Sequence, residues 1–306
     1  QRKKESMLDR NFYEALSRLR LQMSHKSSLN MSGNRKSIQK GLSAEFSDFR
    51  EYMPGDDLRR MDWNVYARLD KLYIREYMEE KEAVVSVLID TSASMDYGVH
   101  SKAELARDLA AVVSFLALGN MDRLWLYDMK DMGRGLSVRG GRSGFSKVLH
   151  WLEKRTFNGQ VDMLAAARKM PCHGPGVTVL ISDFLHPGMV DGTSPDYEKL
   201  LQYLRYCRQR PVVLHTMAPE ELHVTLEGAL NLIDAESQSK LRLTVDARAI
   251  DDYERALKGL TDRMKKGCSA GCGTGCSAGG GTYVLCDAGR DRRQLVFGDL
   301  RVIYDI

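Results

Sequence analysis

The sequence lacks any hydrophobic run long enough to cross a lipid bilayer. Its longest apolar stretch is about Leu109–Leu118, whereas a spanning helix needs roughly 20 apolar residues in succession. The first residues, Gln-Arg-Lys-Lys-Glu, also lack the apolar core of a signal peptide. We therefore expect a cytoplasmic protein that has no membrane span.

A strong excess of charge of either sign is also absent. The 45 Lys and Arg residues nearly balance the 41 Asp and Glu residues, which leaves a formal net charge of +4. A field this weak does not draw a polyanion to the surface. We therefore expect no nucleic-acid binding, although the basic loop over residues 26–40 is where such binding would occur.

Cysteines are few. The chain has six in 306 residues, and without a signal peptide they do not indicate a disulfide framework. Cys268, Cys272 and Cys276 lie in a Gly-rich segment in which Cys-Ser-Ala-Gly occurs twice, and Cys286 follows it. Four thiolates suit a zinc or iron–sulfur site. The Cys-x-x-Cys spacing of such sites is missing, so we favour a flexible insertion.

What the sequence does contain is an alternation of strand and helix patterns from residue 84 onward. The clearest strand, Val84–Ile89, is apolar on both faces, as expected in the middle of a sheet. Such alternation predicts a mostly parallel sheet with helices on both faces. The predicted strands cover residues 84–89, 123–129, 177–182 and 212–217, and the predicted helices cover 103–118, 145–154, 161–169, 197–209 and 251–265.

Outside this alternation the patterns are less regular. They predict an amphipathic helix over 1–24 and short strands over 222–226, 241–245, 282–286, 295–297 and 300–303. Trp63, Trp125 and Trp151 are interpreted as core anchors. We divide the chain into an N-terminal helix and strand extension (1–82), an α/β domain (83–220) and a C-terminal part (221–306). The C-terminal part holds a helix, short strands and the Gly- and Cys-rich loop.

Two of the predicted strands end in acids. Asp90 follows the first strand and is itself followed by Ser92 and Ser94, and Asp183 follows the strand over 177–182. Ligands of open α/β sheets bind at the carboxyl ends of the strands. Carboxylate and hydroxyl oxygens suit Mg²⁺, so this pattern indicates a magnesium site. The alternative is a turn whose serines cap the next helix.

A metal-dependent hydrolase acting at the Asp90 cleft is the alternative function. Phosphatases that use a strand-end Asp as the nucleophile usually place a second acid two residues on, as the proton-transfer group. Ser92 stands at that position here. We therefore assign no catalytic residues and expect a protein that is not an enzyme.

The Asp90-x-Ser92-x-Ser94 loop, with Asp183 after a second strand, resembles the metal-ion-dependent adhesion site of von Willebrand factor A domains. Upstream, the segment over 45–68, with its Pro-Gly-Asp-Asp turn and Asp-Trp pair, resembles one bacterial von Willebrand factor A-like family. That family is named only as domain of unknown function 58. The resemblance covers most of the chain and implies a von Willebrand factor A-like, Rossmann-type α/β fold.

The resemblance also implies partners. Members of the family are typically encoded beside MoxR-type AAA+ ATPases. We therefore expect a non-enzymatic adaptor that binds such an ATPase or its client protein, with a chaperone-like role in maturing or assembling other proteins. An adhesion site of this kind holds Mg²⁺ and is completed by an acidic residue of the partner.

One position departs from the family pattern. The second loop of the adhesion site normally supplies a Thr ligand, but Val161 stands at the corresponding position. Asp162 is the residue that would substitute for it. Loss of this hydroxyl is expected to weaken Mg²⁺ binding and to raise the dependence of the site on water and on the partner's acid. The predicted metal set is Asp90, Ser92, Ser94, Asp183 and Asp162.

Overall fold

The computed structural model describes residues 10–18, 20–21, 44–69, 71–79, 83–186, 189, 193–224, 228–233, 240–270 and 280–305. The chain forms two compact units. The smaller unit is Ser24–Glu82, and the larger unit combines Gln1–Met23 with Ala83–Ile306.

Strands and helices alternate along most of the described chain. The strands are β1 (Arg20–Leu21), β2 (Ala44–Glu51), β3 (Tyr73–Glu79), β4 (Val84–Ile89), β5 (Arg123–Asp128), β6 (Asp131–Val138), β7 (Gly176–Ser182), β8 (Gln209–Met217), β9 (Gly228–Ile233), β10 (Lys240–Val245), β11 (Thr282–Asp287) and β12 (Tyr304–Asp305). The α-helices are α1 (Arg10–Leu16), α2 (Trp63–Leu69), α3 (Lys102–Gly119), α4 (Phe145–Glu153), α5 (Met163–Lys169), α6 (Asp196–Tyr206), α7 (Pro219–Leu222), α8 (Ala247–Ser269) and α9 (Arg292–Phe297). Short 3₁₀ helices cover Leu58–Arg60, Ala93–Met95, Gly141–Gly144 and Asp299–Ile303.

The larger unit is organised around a six-stranded sheet, in the order β11-β8-β7-β4-β5-β6 among the described residues. The neighbouring strands run parallel except for β5 and β6, which are antiparallel. This confirms the mostly parallel α/β sheet that the sequence predicts. Strand β6 was not predicted, because Gly133 and Gly135 interrupt its alternation of polar and apolar residues.

The central strand β4 contributes to two hydrophobic cores, one on each face of the sheet. Val85, Val87 and Ile89 face the core that contains most of α3. Leu88 faces the other core, which is formed with α5, α6 and α8. Successive side chains of a strand point to opposite faces, so burial on both sides requires the nearly continuous apolar sequence seen in β4. The helices on both faces confirm the predicted layer order.

Several predicted elements at the two ends of the larger unit are wrong. Residues 295–297 lie in helix α9, whose first turn is capped by the Asp291 carboxylate, and 300–303 form a 3₁₀ helix. Capping by an acid favours a helix over a strand. The helix predicted over 1–24 ends at Leu16, because Arg20–Leu21 pairs with β12. Leu222 belongs to helix α7, and residues 225–227 lie outside the described residues.

The smaller unit contains the antiparallel pair β2 and β3 together with helix α2. Arg50 donates to both carboxylate oxygens of Asp56 at 2.9 Å. Asp57 and Asp62 accept hydrogen bonds from backbone N–H groups at the starts of short helices. Trp63 is 62 % exposed, so the prediction that it is a core anchor is wrong.

None of the helices in the described ranges is both long and apolar enough to cross a bilayer.

Gly176 tests how tightly β4 and β7 pack. A methyl group added there would overlap the backbone carbonyl of Val84 and lie 2.9 Å from its Cβ. We expect Gly176→Ala to lower the free energy of unfolding by about 2 kcal/mol, since overpacking forces the paired strands apart. Gly133→Ala, on edge strand β6, is the matched control, because its methyl group would meet its nearest neighbour at 3.6 Å. Urea denaturation measures both, and equal losses would contradict the packing argument.

Candidate functional site

The candidate site lies at the carboxyl ends of β4 and β7, which are adjacent in the sheet. Parallel pairing of Ile89 with Ile181 brings Asp90 beside Ser182. The Asp90 backbone N–H donates to the Ile181 carbonyl at 2.9 Å and continues the pairing by one residue. The first acid and the end of β7 therefore have a fixed relative position.

Asp90 is a buried carboxylate that organises the loop after β4. One of its oxygens accepts a hydrogen bond from the Ser92 backbone N–H at 2.9 Å, and the other accepts from Ser182 Oγ at 2.6 Å. Burial, and then the negative charge of nearby Asp183, raise the pKa of Asp90 to about 6. An acid whose ionised form is disfavoured in this way benefits from a cation beside it.

The two serines of the loop present their hydroxyl groups together. Ser92 Oγ and Ser94 Oγ are 3.0 Å apart, on the 3₁₀ turn Ala93–Met95 and the residue before it. Ser92 is buried, whereas Ser94 is partly exposed. Adjacent ligands of an octahedral Mg²⁺, each at about 2.1 Å from the ion, would be separated by a similar distance. The hydroxyl pair therefore fits a small divalent cation.

Asp183, the acid of the third loop, is bound to a lysine. Lys102 Nζ donates to Asp183 Oδ2 at 2.8 Å and to Glu221 Oε1 at 2.6 Å. The second oxygen of Asp183 accepts from the Leu185 backbone N–H at 3.2 Å. Burial acts to lower the pKa of Lys102, but the charges of Asp183 and Glu221 more than offset it and raise that pKa. Lys102 is therefore a charged ammonium although it is fully buried.

The second loop carries Val161 and Asp162. The Val161 side chain, which has no oxygen, is buried in the core of α5, α6 and α8. Asp162 is exposed, and its carboxylate caps α5 by accepting from the Ala165 backbone N–H at 2.8 Å. Asp90, Ser92, Ser94 and Asp183 thus come together, and the hydrogen bond of Asp162 directs its carboxylate to α5 instead.

A second layer of contacts fixes the loop that carries the serines. Thr91 Oγ1 donates to Asp128 Oδ1 at 2.5 Å, and Arg155 lies 3.4 Å from the other oxygen of Asp128. The backbone of the second loop also contacts this one, since Asn158 N–H donates to the Thr91 carbonyl and Ala93 N–H donates to the Gly159 carbonyl. The hydroxyl groups are therefore held on a rigid support.

Sequence reasoning missed Lys102 and Glu221. The position of Lys102 as the first residue of α3 could have drawn attention to it. A cation in the first turn of a helix faces the positive end of the helix dipole, so a lysine there is disfavoured and a nearby acid offsets that cost. No local pattern identifies which acids compensate it, since Asp183 and Glu221 are 81 and 119 residues away.

The cysteine metal site was the alternative to a flexible insertion in the sequence analysis. Cys268 and Cys286 are both buried, but Cys268 belongs to the core with α6 and Cys286 to the core with α3, on opposite faces of the sheet. Cys272 and Cys276 lie outside the described residues. Among the residues that the structure does describe, no group of three or more His, Cys, Asp or Glu residues is placed to hold a metal.

The fold and site define an α/β protein with a polar site of acids and hydroxyls at the carboxyl edge of its sheet. Residues 48–261 match the family described as "Protein of unknown function DUF58", and the chain belongs to this family.

The chain is also similar to several bacterial proteins and solved structures. Uncharacterised proteins of Mycobacterium tuberculosis (strain H37Rv) and Mycobacterium bovis are 28 % identical over 268 residues, which is 84 % of this chain and 82 % of theirs. The conserved hypothetical protein BatB from Bacteroides thetaiotaomicron is similar with a TM-score of 0.36 and 13 % identity, over 72 % of this chain and 98 % of that one. An aerotolerance-related membrane protein from Bacteroides fragilis gives a TM-score of 0.35 and 14 % identity, over 72 % and 99 %.

Replacing Asp90 by Asn tests the buried charge. We expect Asp90→Asn to raise the free energy of unfolding by about 1–3 kcal/mol near pH 8 in EDTA, because the folded pKa of about 6 exceeds the unfolded value of 3.8. The folded wild type binds a proton as the pH falls through about 6 to 4, which stabilises it relative to the unfolded chain. The advantage of the variant should therefore shrink over that window in urea denaturation.

Asp162→Asn is the matched control. Its carboxylate is exposed and serves as a helix cap, and Asn caps helices about as well as Asp. We expect it to leave stability unchanged at each pH. A gain in Asp90→Asn that stays constant with pH would contradict the assigned pKa.

Proposed function

We propose that this chain is a non-enzymatic protein-interaction module of von Willebrand factor A-like fold that binds an acidic side chain of a partner at the Ser92–Ser94 loop. The observation that supports it is the placement of two hydroxyl oxygens, 3.0 Å apart, in front of buried acids at the edge of the sheet. Hydroxyls backed by carboxylates suit a bound cation, and a cation suits an incoming carboxylate.

The residues that would hold Mg²⁺ are Ser92 and Ser94 through their hydroxyls, with Asp90 and Asp183 supplying negative charge behind them. When bound, Mg²⁺ would supply an open coordination position for a carboxylate of the partner. The work of the chain is to hold the hydroxyls in place, which Asp90 does by accepting from the Ser92 backbone, and Thr91 does through Asp128. Asp162 caps α5 and has no part in this proposal.

Apolar side chains near the loop support a protein rather than a small-molecule ligand. Tyr97 is 48 % exposed and Val99 is 87 % exposed, and both follow Ser94 within five residues. Exposed aromatic and aliphatic groups beside a polar centre are the usual composition of a protein-binding patch. The partner would thus place an acid at the loop and an apolar surface against Tyr97 and Val99.

The partner that we propose is a MoxR-type AAA+ ATPase or the client protein of such an ATPase. The support is the resemblance of the loop and of the segment over 45–68 to the family that is typically encoded beside these ATPases. An adaptor in the cytoplasm that presents clients to the ATPase would serve protein maturation or assembly. The alternative, a metal-dependent hydrolase at the Asp90 cleft, has Ser92 where a second acid is expected.

Ser94→Ala tests the interaction. Ser94 is the partly exposed member of the hydroxyl pair, and its loss removes one ligand while leaving the Asp90 hydrogen bonds in place. We expect binding to the purified ATPase from the same gene neighbourhood to weaken at least about tenfold in Mg²⁺, since a divalent site loses one of few ligands. EDTA should weaken the wild type by a similar factor. Biolayer interferometry measures both.

Ser143→Ala is the matched control, because Ser143 is an exposed serine on the 3₁₀ turn Gly141–Gly144 and bonds only the local Gly140 carbonyl in the described structure. It should bind as the wild type does. Undiminished binding of Ser94→Ala, with no effect of EDTA, would refute the metal-assisted interaction. Metal-stimulated hydrolysis of phosphate or peptide substrates that is lost in Asp90→Asn would favour the enzyme instead.

A further inference from the structure

A fully buried lysine lies behind the proposed metal-binding loop. Lys102 has 0 % exposed surface, and its ammonium contacts Asp183 at 2.8 Å and Glu221 at 2.6 Å. The Tyr97 ring lies 5.8 Å from the same nitrogen. Burying an ammonium is costly unless it is paired and hydrogen-bonded, so these two acids account for its presence there.

The charges around this lysine do not cancel when the whole site is counted. Asp90, Asp183 and Glu221 provide three carboxylates, and Lys102 is the cation that contacts two of them. Asp90 accepts hydrogen bonds from Ser92 and Ser182 rather than from a cation. The resident ammonium therefore neutralises the Asp183 side of the site and leaves Asp90 as the acid that gains most from an added cation.

We propose that Lys102 is a resident cation that competes with the divalent metal for Asp183 and so keeps the metal affinity of the site low. This inference rests on the proposed function and deepens it. The ammonium holds one oxygen of Asp183 and repels a second cation nearby, so the metal is bound firmly only when the partner's carboxylate adds its negative charge. Metal binding and partner binding thereby become coupled.

Glu221 is the second acid that holds the ammonium in place. It lies on α7, and its second oxygen accepts from the Ala218 backbone N–H at 2.8 Å. Its backbone carbonyl also accepts from Tyr253 Oη on α8 at 2.8 Å. The first contact holds the Glu221 carboxylate and the second holds its backbone, so Lys102 is shared between two acids that are themselves hydrogen-bonded.

A lysine that is merely structural would give a different result on removal. Loss of a structural ion pair weakens the fold and everything that depends on it, metal binding included. Loss of a competing cation weakens the fold but strengthens metal binding. The direction of the change in metal affinity therefore separates the two roles.

Lys102→Met is the primary variant, because Met keeps the length and apolar stem of the side chain and removes the charge. Titration of the purified chain with MgCl₂ by isothermal calorimetry should show binding at least about tenfold tighter than that of the wild type, as expected for removal of a nearby unit charge. Added Mg²⁺ should also raise the melting temperature of the variant more than that of the wild type.

Two further variants complete the test. Lys102→Met combined with Glu221→Gln leaves no second carboxylate unpaired, so it keeps the comparison valid where the single variant folds poorly. Its Mg²⁺ affinity should fall between those of the wild type and Lys102→Met. Lys199→Met, which removes a lysine from an exposed pair with Asp196, is the matched control and should bind as the wild type does.

The outcomes separate this inference from the proposed function. Equal or weaker Mg²⁺ binding in both Lys102 variants, with measurable binding in the wild type, overturns the inference and leaves the proposed function standing. An absence of Mg²⁺ binding in the wild type and in both variants overturns the inference, and the proposed function is then decided by the effect of Ser94→Ala and of EDTA on partner binding. Tighter binding in the Lys102 variants, with Lys199→Met unchanged, supports the competing-cation role.

Discussion

The parallel pairing of β4 with β7 is the contact on which the rest of the site depends. It sets Ile89 opposite Ile181, and the residues that follow the two strands then meet at one edge. Both strands are buried along their whole length, so this register is fixed by apolar packing on two faces. A shift by one residue would turn every side chain of β4 to the opposite core and would separate Asp90 from Ser182. The polar chemistry of the edge is therefore specified by apolar residues.

Lys102 makes the two acids at this edge, Asp90 and Asp183, chemically different from each other. Asp90 and Asp183 have equivalent places at the ends of adjacent strands, yet their surroundings differ. Asp183 has an ammonium at 2.8 Å, whereas Asp90 has hydroxyl and backbone donors. Burial therefore raises the pKa of Asp90, and the site distinguishes two acids that the sequence presents as a pair. The proposed function uses this asymmetry, since an added cation satisfies the acid that lacks one.

The spacing of apolar residues predicted those strands and helices whose sequence pattern directly reflects their burial. The strands at 84–89, 177–182 and 212–217 and the helix at 103–118 agree with β4, β7, β8 and α3 within a few residues, because burial leaves a continuous or helical apolar pattern. The strands predicted near residue 300 are wrong because the prediction used the apolar pattern alone. Apolar residues at 295–297 and 300–303 have strand-like composition, but the cap at Asp291 makes the first segment a helix. The short apolar pattern did not distinguish the two.

The site residues that lie close together in the sequence could be predicted. Asp90, Ser92 and Ser94 lie within five residues, and Asp183 follows a recognisable strand. Lys102 and Glu221 were not predictable as partners, because the contact joins the first residue of α3 to a four-residue helix more than a hundred residues later. Asp162 was predicted to substitute for the missing Thr because it is the next residue in the loop. In the structure its carboxylate caps helix α5.

Strand β4, with a separate core on each of its faces, has a consequence for how substitutions act at a distance. The α3 core and the α5, α6 and α8 core are separate hydrophobic clusters, so a substitution in one core can be compensated by a second substitution in the same core. The position of Asp90 relative to Ser182 depends on both cores, because β4 packs against each of them and pairs with β7. A substitution that moves β4 from either side would therefore alter the candidate site without touching any residue of it.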